Sequence, residues 1–170
     1  MRSRKIAITI WGEIKGDIKE YYFEMKAMMS GLGYEITHLG IETTNYSPKS
    51  IVSVKRKEKD MLERIENGEI VKSLECFSLP KDYKQAIFDY EIYSGLDHSN
   101  EESFITVVVN EEDSSVDVEE LIISIISKYI DADNGEVYAC SKEEAIVAYA
   151  HFKDTKKCSL ETYEFIKNIS

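Results

Sequence analysis

Three histidines and three cysteines are the residues of this 170-residue chain best suited to metal or nucleophilic chemistry. His38, His98 and His151 are far apart, and none stands in a His-Glu-x-x-His or Cys/His zinc spacing. The chain also lacks a Gly-x-Ser-x-Gly nucleophile turn and a Gly-x4-Gly-Lys-Ser/Thr phosphate loop. We therefore expect no metal, no cofactor and no enzyme activity.

The cysteines are odd in number and widely spaced. Cys76, Cys140 and Cys158 form no Cys-x-x-Cys pair, and only Cys158, behind Lys156 and Lys157, has a weakly basic setting. This pattern predicts reduced, structural thiols in a cytoplasmic protein.

Two carboxylate clusters could in principle bind Mg²⁺ or Ca²⁺, which prefer several oxygen ligands. One is Glu111–Asp113, and the other is Asp131 with Asp133. The second is similar to the start of an EF-hand loop, but its glycine comes one place early and Lys142 stands at loop position 12. We interpret both as solvated loops. The second follows a predicted helix, where the helix dipole disfavours acids, and this suggests another use for it.

Charge is distributed unevenly along the chain, whose net charge is −11. Residues 1–85 contain 15 Lys/Arg and 13 Asp/Glu, whereas residues 86–170 contain 6 and 19. Between residues 86 and 136 there are 14 acids and one base, Lys128, which disfavours nucleic acid and anionic membranes as partners. Such a surface either solubilises the protein or meets a basic protein partner. The predicted partner-binding residues are Asp97, Glu101, Glu102, Glu111, Glu112, Asp113, Asp131 and Asp133.

Hydrophobic periodicity and capping residues predict the elements that position these side chains. The expected helix caps are Asp17 with Glu20, Asp117 with Glu120, and Ser141 with Glu144. Predicted strands cover 6–11, 34–41, 51–54, 70–79, 85–93, 104–109 and 136–140. Predicted helices cover 17–30, 57–67, about 117–131, 142–152 and 160–169, and 94–102 and 133–135 are a predicted loop and turn.

This order predicts a single α+β domain over residues 1–170, with a mixed, mainly antiparallel sheet and helices packed on it. Two β-α-β units, 4–41 and 103–140, make an extended ferredoxin-like arrangement an economical topology. No apolar run approaches the roughly 20 residues of a membrane span, and the apolar run after the basic start is too short for an export signal.

The same periodicity predicts the core. Five side chains on the inner stripes of clear elements are expected to be buried: Met25, Val107, Leu121, Ile122 and Ile125. Trp11, at the end of strand 6–11, is expected to cover the core, and the basic run Lys55–Lys59 is expected to be the exposed face of its helix.

The opening strand, which ends in Trp11-Gly12-Glu13 and leads into a helix, resembles an immunity-protein family of bacterial polymorphic toxin systems. That family begins with an aromatic-Trp-Gly-acidic segment after its first strand. The later order is similar over residues 4–140, through Asn67-Gly68, Phe104–Val109 and Asp131–Gly135. Here Ile10 replaces the aromatic residue, and Tyr129 or Ile130 replaces a second tryptophan.

The resemblance implies an α+β inhibitor that binds a toxin domain, often a restriction-endonuclease-like nuclease, inside the producing cell. The resemblance implies no catalytic residue in this chain. An acidic protein suits this activity because nucleases carry basic clefts for phosphate. Two alternatives remain open: a ferredoxin-like regulatory or small-ligand module, which needs a pocket between sheet and helices, and a small enzyme that uses a carboxylate cluster. The oligomeric state is not predicted.

Overall fold

A computed structural model describes residues 3–48, 50–98 and 102–170 as an α+β structure. The strands are β1 (Arg4–Ile14), β2 (His38–Thr43), β3 (Val52–Ser53), β4 (Val71–Ser78), β5 (Ile92–Asp97), β6 (Phe104–Asn110), β7 (Ile130–Ser141) and β8 (Glu164–Asn168). The helices are α1 (Ile18–Gly31), α2 (Val54–Glu66), α3 (Ala86–Asp89), α4 (Val116–Ile126) and α5 (Ala148–Phe152), with a 3₁₀ turn at Glu111–Asp113.

One sheet contains all eight described strands, in the order β3-β2-β4-β5-β6-β1-β7-β8. Every pair of neighbours is antiparallel, so the α+β class is confirmed, although the described strands form no mixed sheet. Because β6 and β7 both pair with β1, they run parallel to each other on either side of it and are connected through α4. This is a split β-α-β unit. Strands β1 and β5 are also parallel on either side of β6, but the chain between them passes through α1, β2, β3, α2, β4 and α3.

The first face of the sheet packs against α1, α2 and α4. Met25 of α1, Met61 of α2 and Ile122 of α4 are fully buried against alternate residues of the central strands. The predicted core is therefore confirmed for Met25, Val107, Ile122 and Ile125.

Asp17 caps α1, because its carboxylate accepts hydrogen bonds from the backbone N–H groups of Lys19 and Glu20.

Leu121 is the exception, since 43% of it is exposed and the prediction that it is buried is wrong. The cap of α4 is Ser115 rather than Asp117, and its side chain accepts a hydrogen bond from the N–H of Val118. The inner stripe runs through Ile122, Ile125 and Ile126, and Leu121 lies about 100° around the helix from Ile122.

The second face of the sheet is covered by two segments with little regular structure, around 80–91 and 142–163. The predicted helix 142–152 is reduced to α5, because the Glu144 carboxylate accepts N–H groups of Glu161 and Thr162 instead of capping a helix. The predicted helix 160–169 is wrong. Residues 164–168 of this segment form β8, whose backbone pairs with the edge of β7. A ten-residue helix without tertiary packing is only marginally stable.

Other boundaries also differ from the prediction, and α4 ends at Ile126 because β7 already begins at Ile130. The predicted strand 85–93 begins as α3, because the Asp89 carboxylate accepts the N–H groups of Lys84 and Gln85 and closes a helical turn. The strand then continues through Ser94–Asp97, where a loop was predicted. The predicted turn at 133–135 lies inside β7. Among the described residues, no helix has the length and apolar character needed to cross a lipid bilayer.

Substitution of neighbouring residues on α4 tests this packing. Ile122→Ala should lower the free energy of unfolding by about 2–5 kcal/mol, since it leaves a cavity in the core. Leu121→Ala, one position along the same helix, should lower it by less than about 1 kcal/mol. Urea unfolding followed by circular dichroism measures both values, and equal losses would contradict the observed orientation of α4.

Candidate functional site

The predicted acidic residues lie at two opposite ends of the sheet. Asp97, Glu102, Asp131 and Asp133 lie where β1 ends and β6 begins, whereas Glu111, Glu112 and Asp113 follow the last residue of β6. The seven residues of β6 span about 24 Å at roughly 3.4 Å per residue. Glu101 lies outside the described residues. Asp97 is buried, contrary to its predicted place on a binding surface, and the other described acids form two surfaces.

The carboxylates after β6 are engaged with neighbouring side chains. Glu111 accepts hydrogen bonds from the Arg4 guanidinium at 2.5 and 3.0 Å, and this contact lowers the pKa of Glu111. Tyr34 donates its hydroxyl to Asp113 at 2.6 Å, which raises the pKa of the tyrosine to about 12. Glu112 lies 3.7 Å from the Lys142 ammonium. These contacts connect β6 to the start of β1 and to the loop after α1.

The other end is shaped by a β-bulge. The register between β1 and β7 changes from Trp11 opposite Asn134 to Gly12 opposite Ala132, so Asp133 is an extra residue without a partner on β1. Bulges are common beside functional sites because they redirect a side chain. Gly12 is required here, since a Cβ atom at this position would overlap the backbone carbonyl oxygen of Asp131.

Beyond the bulge, two acids face each other across the strands. Glu13 is the direct cross-strand partner of Asp131, a placement that normally destabilises a sheet. Lys15 donates to Asp131 at 2.7 Å and offsets part of this repulsion. Glu13, Asp131 and Asp133 are all exposed. With Glu102 they form what we call the bulge-end acidic surface.

Trp11 anchors this surface from below. The prediction that it lies in the core is confirmed, and its indole N–H donates to the carbonyl oxygen of Ala150 at 2.8 Å. The Lys153 ammonium lies 4.4 Å from the indole ring and donates to Glu102 at 2.8 Å and Asn134 at 3.2 Å. Trp11 and Lys153 thus hold the covering segment, β6 and β7 together beneath the exposed acids.

The structure also contains a partly buried carboxylate that no sequence motif indicates. Glu75 of β4 lies partly buried on the second face, at a cavity of about 230 Å³. The Tyr93 hydroxyl donates to Glu75 at 2.5 Å, and His151 lies on the same wall. Burial raises the pKa of the Glu75 carboxyl. The alternation Ser73, Glu75, Phe77 in β4 was the signal that could have placed Glu75 on the covered face.

The cysteines and His38 have structural surroundings. Cys76 and Cys140 are buried, which raises the pKa of each thiol to about 12 and makes them poor nucleophiles. Cys158 is partly buried and donates its thiol to the carbonyl oxygen of Asp154. His38 contacts Thr37 and the edge of the Tyr83 ring. Within residues 3–48, 50–98 and 102–170, no three His, Cys, Asp or Glu side chains are grouped as a metal site.

A buried lysine occupies the end of the second face opposite the bulge. Lys5 is only 2% exposed, and its ammonium donates to the carbonyl oxygen of Tyr90 at 2.7 Å and lies against the Tyr90 ring. Burial, helped by the nearby charge of Lys142, lowers the pKa of Lys5 to about 7, although Glu91 and Asp89 partly oppose this. A cavity of about 530 Å³ adjoins it.

No protein-family model, curated protein or solved structure matches the chain.

The lowered pKa of Lys5 predicts an unusual pH dependence of stability. Above pH 7 the unfolded chain binds more protons at this residue than the folded protein, so the free energy of unfolding should rise with pH. Cys76 and Cys140 act in the opposite direction above about pH 9, because their pKa values are raised by folding. Lys5→Met should remove a rise of up to about 2 kcal/mol between pH 7 and 9. Urea unfolding across this range measures the effect, and identical slopes in both proteins would refute it.

Gly12 provides a test of the bulge. Gly12→Ala should lower the melting temperature strongly, since the added Cβ meets the backbone of Asp131 and cannot be relieved by a side-chain rotation. The matched control is Gly31→Ala at the end of α1, where an added Cβ meets nothing within 4 Å. The control should leave stability unchanged or slightly raised. Thermal unfolding measures the melting temperatures of both variants. A Gly12→Ala protein as stable as the control would argue against the observed register of β1 and β7.

Proposed function

We propose that the protein is an immunity-type inhibitor that binds a basic domain of a bacterial toxin through the bulge-end acidic surface. The observation that carries the proposal is the bulge itself. It places Trp11-Gly12-Glu13, the segment that resembles the immunity family, directly against Asp131 and Asp133. A sequence motif and a charge cluster that are 118 or more positions apart along the chain thus meet in one surface.

The energetics of this surface favour binding over a purely structural role. Glu13 opposite Asp131 is a repulsive pair, and an exposed acid at the extra position of a bulge contributes little to folding. A basic partner would relieve this repulsion when its cations approach both carboxylates. Complementary charge would also raise the association rate above the usual range of about 10⁵–10⁶ M⁻¹s⁻¹, which is important when the free toxin is lethal.

The rigid support beneath the acids suits an inhibitor. Trp11 is buried and hydrogen-bonded to Ala150, and Gly12 donates its backbone N–H to the carbonyl oxygen of Ser103 at 3.1 Å. A surface built on fixed backbone loses little conformational entropy on binding, which favours affinity. Three of the four acids, Glu13, Asp131 and Asp133, are exposed, and Glu102 is paired with Lys153 at the wall of a cavity. General acid–base catalysis requires paired groups in a cleft, so we assign binding and not turnover to the three exposed acids.

The partner in this proposal is a toxin domain with a basic cleft, of which a nuclease is the main example. The nucleic acid that a nuclease binds has a backbone of negatively charged phosphates. The acidic surface would occupy the cleft that binds these phosphates. The proposal places the inhibitor in the cytoplasm of the producing cell, because a nuclease must be neutralised where that cell's own nucleic acid is exposed. It involves neither nucleic acid nor membrane as a direct partner of this protein.

Paired charge reversals test the proposal. The partner to be tested is the basic toxin domain that the proposal expects a neighbouring gene to encode, and association is measured by stopped-flow fluorescence at several salt concentrations. The variant Asp131→Lys with Asp133→Lys should slow association by about tenfold or more and reduce its salt dependence, since steering is a long-range charge effect. Stability should change by less than about 1 kcal/mol per residue, because both side chains are exposed.

The matched control reverses two acids at the other end of the sheet. Glu111→Lys with Glu112→Lys changes the net charge equally but lies about 24 Å away by the length of β6. It should alter the association rate by less than about threefold. Equal effects of the two double variants would indicate that only net charge matters. Unchanged binding by the first variant would remove the bulge-end acidic surface from the interaction.

A further inference from the structure

The cavity beside Glu75 lies between β4, β5 and the segment that covers the second face. Its walls are mainly apolar and aromatic, with the rings of Phe77 and Tyr93 on the sheet side and that of Tyr90 in the covering segment 80–91. Ala145, Val147, Ala148 and His151 close it from above, and Ile87, which is 53% exposed, lies at its edge. The volume is about 230 Å³, below the roughly 300–1,000 Å³ of sites for drug-sized molecules, so its occupant must be small.

Glycines on both neighbouring strands make room for the carboxylate. Glu75 is directly opposite Gly40 of β2 on one side and Gly95 of β5 on the other. A Cβ at Gly95 would overlap the Tyr93 hydroxyl, and one at Gly40 would come within 3.2 Å of a Glu75 carboxylate oxygen. The missing side chains therefore allow Tyr93 to reach Glu75. Two further cavities, of about 260 and 80 Å³, also reach Glu75 from the Gly40 and Gly95 sides.

The charges around this site are unbalanced. Among the described residues, Tyr93 is the hydrogen-bond donor to Glu75, and no lysine or arginine forms an ion pair with it. Asp97 follows on the same face of β5 and adds a second negative charge, while His151 is the basic side chain on the wall. A partly buried carboxylate without a strong cation is costly unless it is protonated or a cation binds to it.

We propose that this cavity is a binding site for an organic cation, an ammonium or guanidinium group on a short apolar stem. The Glu75 carboxylate would pair with the charge, and the faces of Phe77, Tyr90 and Tyr93 would contact the cation and its stem. An inorganic cation is a poorer occupant, because Mg²⁺ and Ca²⁺ need six or more oxygen ligands and these walls are mainly apolar. The inference does not depend on the proposed function, since the cavity and the bulge-end acidic surface involve different residues.

Benzamidinium is a suitable probe because it combines a flat amidinium cation with one ring. Its neutral isostere benzamide has nearly the same shape, so the difference in affinity between the two isolates the charge. We expect titration calorimetry at pH 7.5 to show that the protein binds benzamidinium at least about tenfold more tightly than benzamide. Glu75→Gln should abolish this preference. Equal affinities for the two probes, or no measurable binding of benzamidinium, would overturn the proposal.

Glu136→Gln is the matched control. Glu136 is a second partly buried carboxylate on the same face, and it accepts hydrogen bonds from the hydroxyls of Tyr149 and Tyr163 at 3.1 and 2.9 Å. It does not line the cavity. The control should keep the preference for benzamidinium within about twofold of the unmodified protein. An equal loss in both variants would mean that net charge, and not the cavity, determines binding.

A second variant keeps the test valid if Glu75→Gln does not fold. Ala148→Leu keeps the carboxylate but fills part of the cavity from the covering segment. It should weaken benzamidinium binding by about tenfold or more through steric exclusion. Near-ultraviolet circular dichroism checks that the tyrosine packing is preserved. If this folded variant binds benzamidinium as tightly as the unmodified protein, the cavity is not the site.

The cation could be a free small molecule or an arginine or lysine side chain of a protein partner. Competition separates these sources. If saturating benzamidinium displaces the toxin domain and the domain loses affinity for Glu75→Gln, the cation is a side chain of that partner. If both bind at once, the cation is a free molecule. Both results retain the cavity as a cation site, and the proposed function fails separately if the charge reversals at Asp131 and Asp133 have no effect.

Discussion

The pairing of β1 on both of its edges is the constraint on which the rest of the structure depends. A central strand must pair every backbone polar group with its neighbours and must bury side chains on both faces. Ile6, Ile8 and Ile10 provide the first face, whereas Ala7, Thr9 and Trp11 provide the second. The buried hydroxyl of Thr9 is satisfied, because it lies 2.7 Å from the Thr106 hydroxyl and 2.9 Å from that of Tyr138. Both layers of the protein are therefore built against one strand.

The last residues of β1 connect this packing to the proposed interaction. Trp11 belongs to the core, Gly12 allows the close approach of β7, and Glu13 is exposed opposite Asp131. Within about 10 Å of extended chain, the side chains thus change from buried, at Trp11, to exposed, at Glu13. A substitution that disturbs the packing of Trp11 would also move the acids. Stability and binding are coupled at this end of the sheet, and an inhibitor gains from a surface that is fixed before its partner arrives.

The second face has a different character because the described segments that cover it contain only the short helices α3 and α5. Irregular segments follow the sheet less closely than a helix with a continuous apolar stripe, and cavities remain beside Lys5 and Glu75. One cross-strand row on this face contains two carboxylates among small or hydroxylated residues, and its members are Gly40, Glu75, Gly95, Thr106, Thr9 and Glu136. At one end of the row two tyrosines satisfy Glu136, whereas at the other a single tyrosine leaves Glu75 beside an open cavity.

The sequence alone determined the elements whose local signals agree with their packing. The alternating isoleucines of β1, the Asp17 cap of α1 and the continuous apolar run of β6 predicted the centre of the sheet and its α+β class. Local signals failed where a distant contact decided the conformation. Glu144 is bound by Glu161 and Thr162 instead of capping a helix, and residues 164–168 became a strand because the edge of β7 was unpaired. The acidic residues were visible in the sequence, but only the tertiary structure divided them between two ends of β6 and placed Asp133 at a bulge. The cavity at Glu75 depends on Gly40 and Gly95, whose positions opposite Glu75 are set by strand register, and register is a property of the assembled sheet.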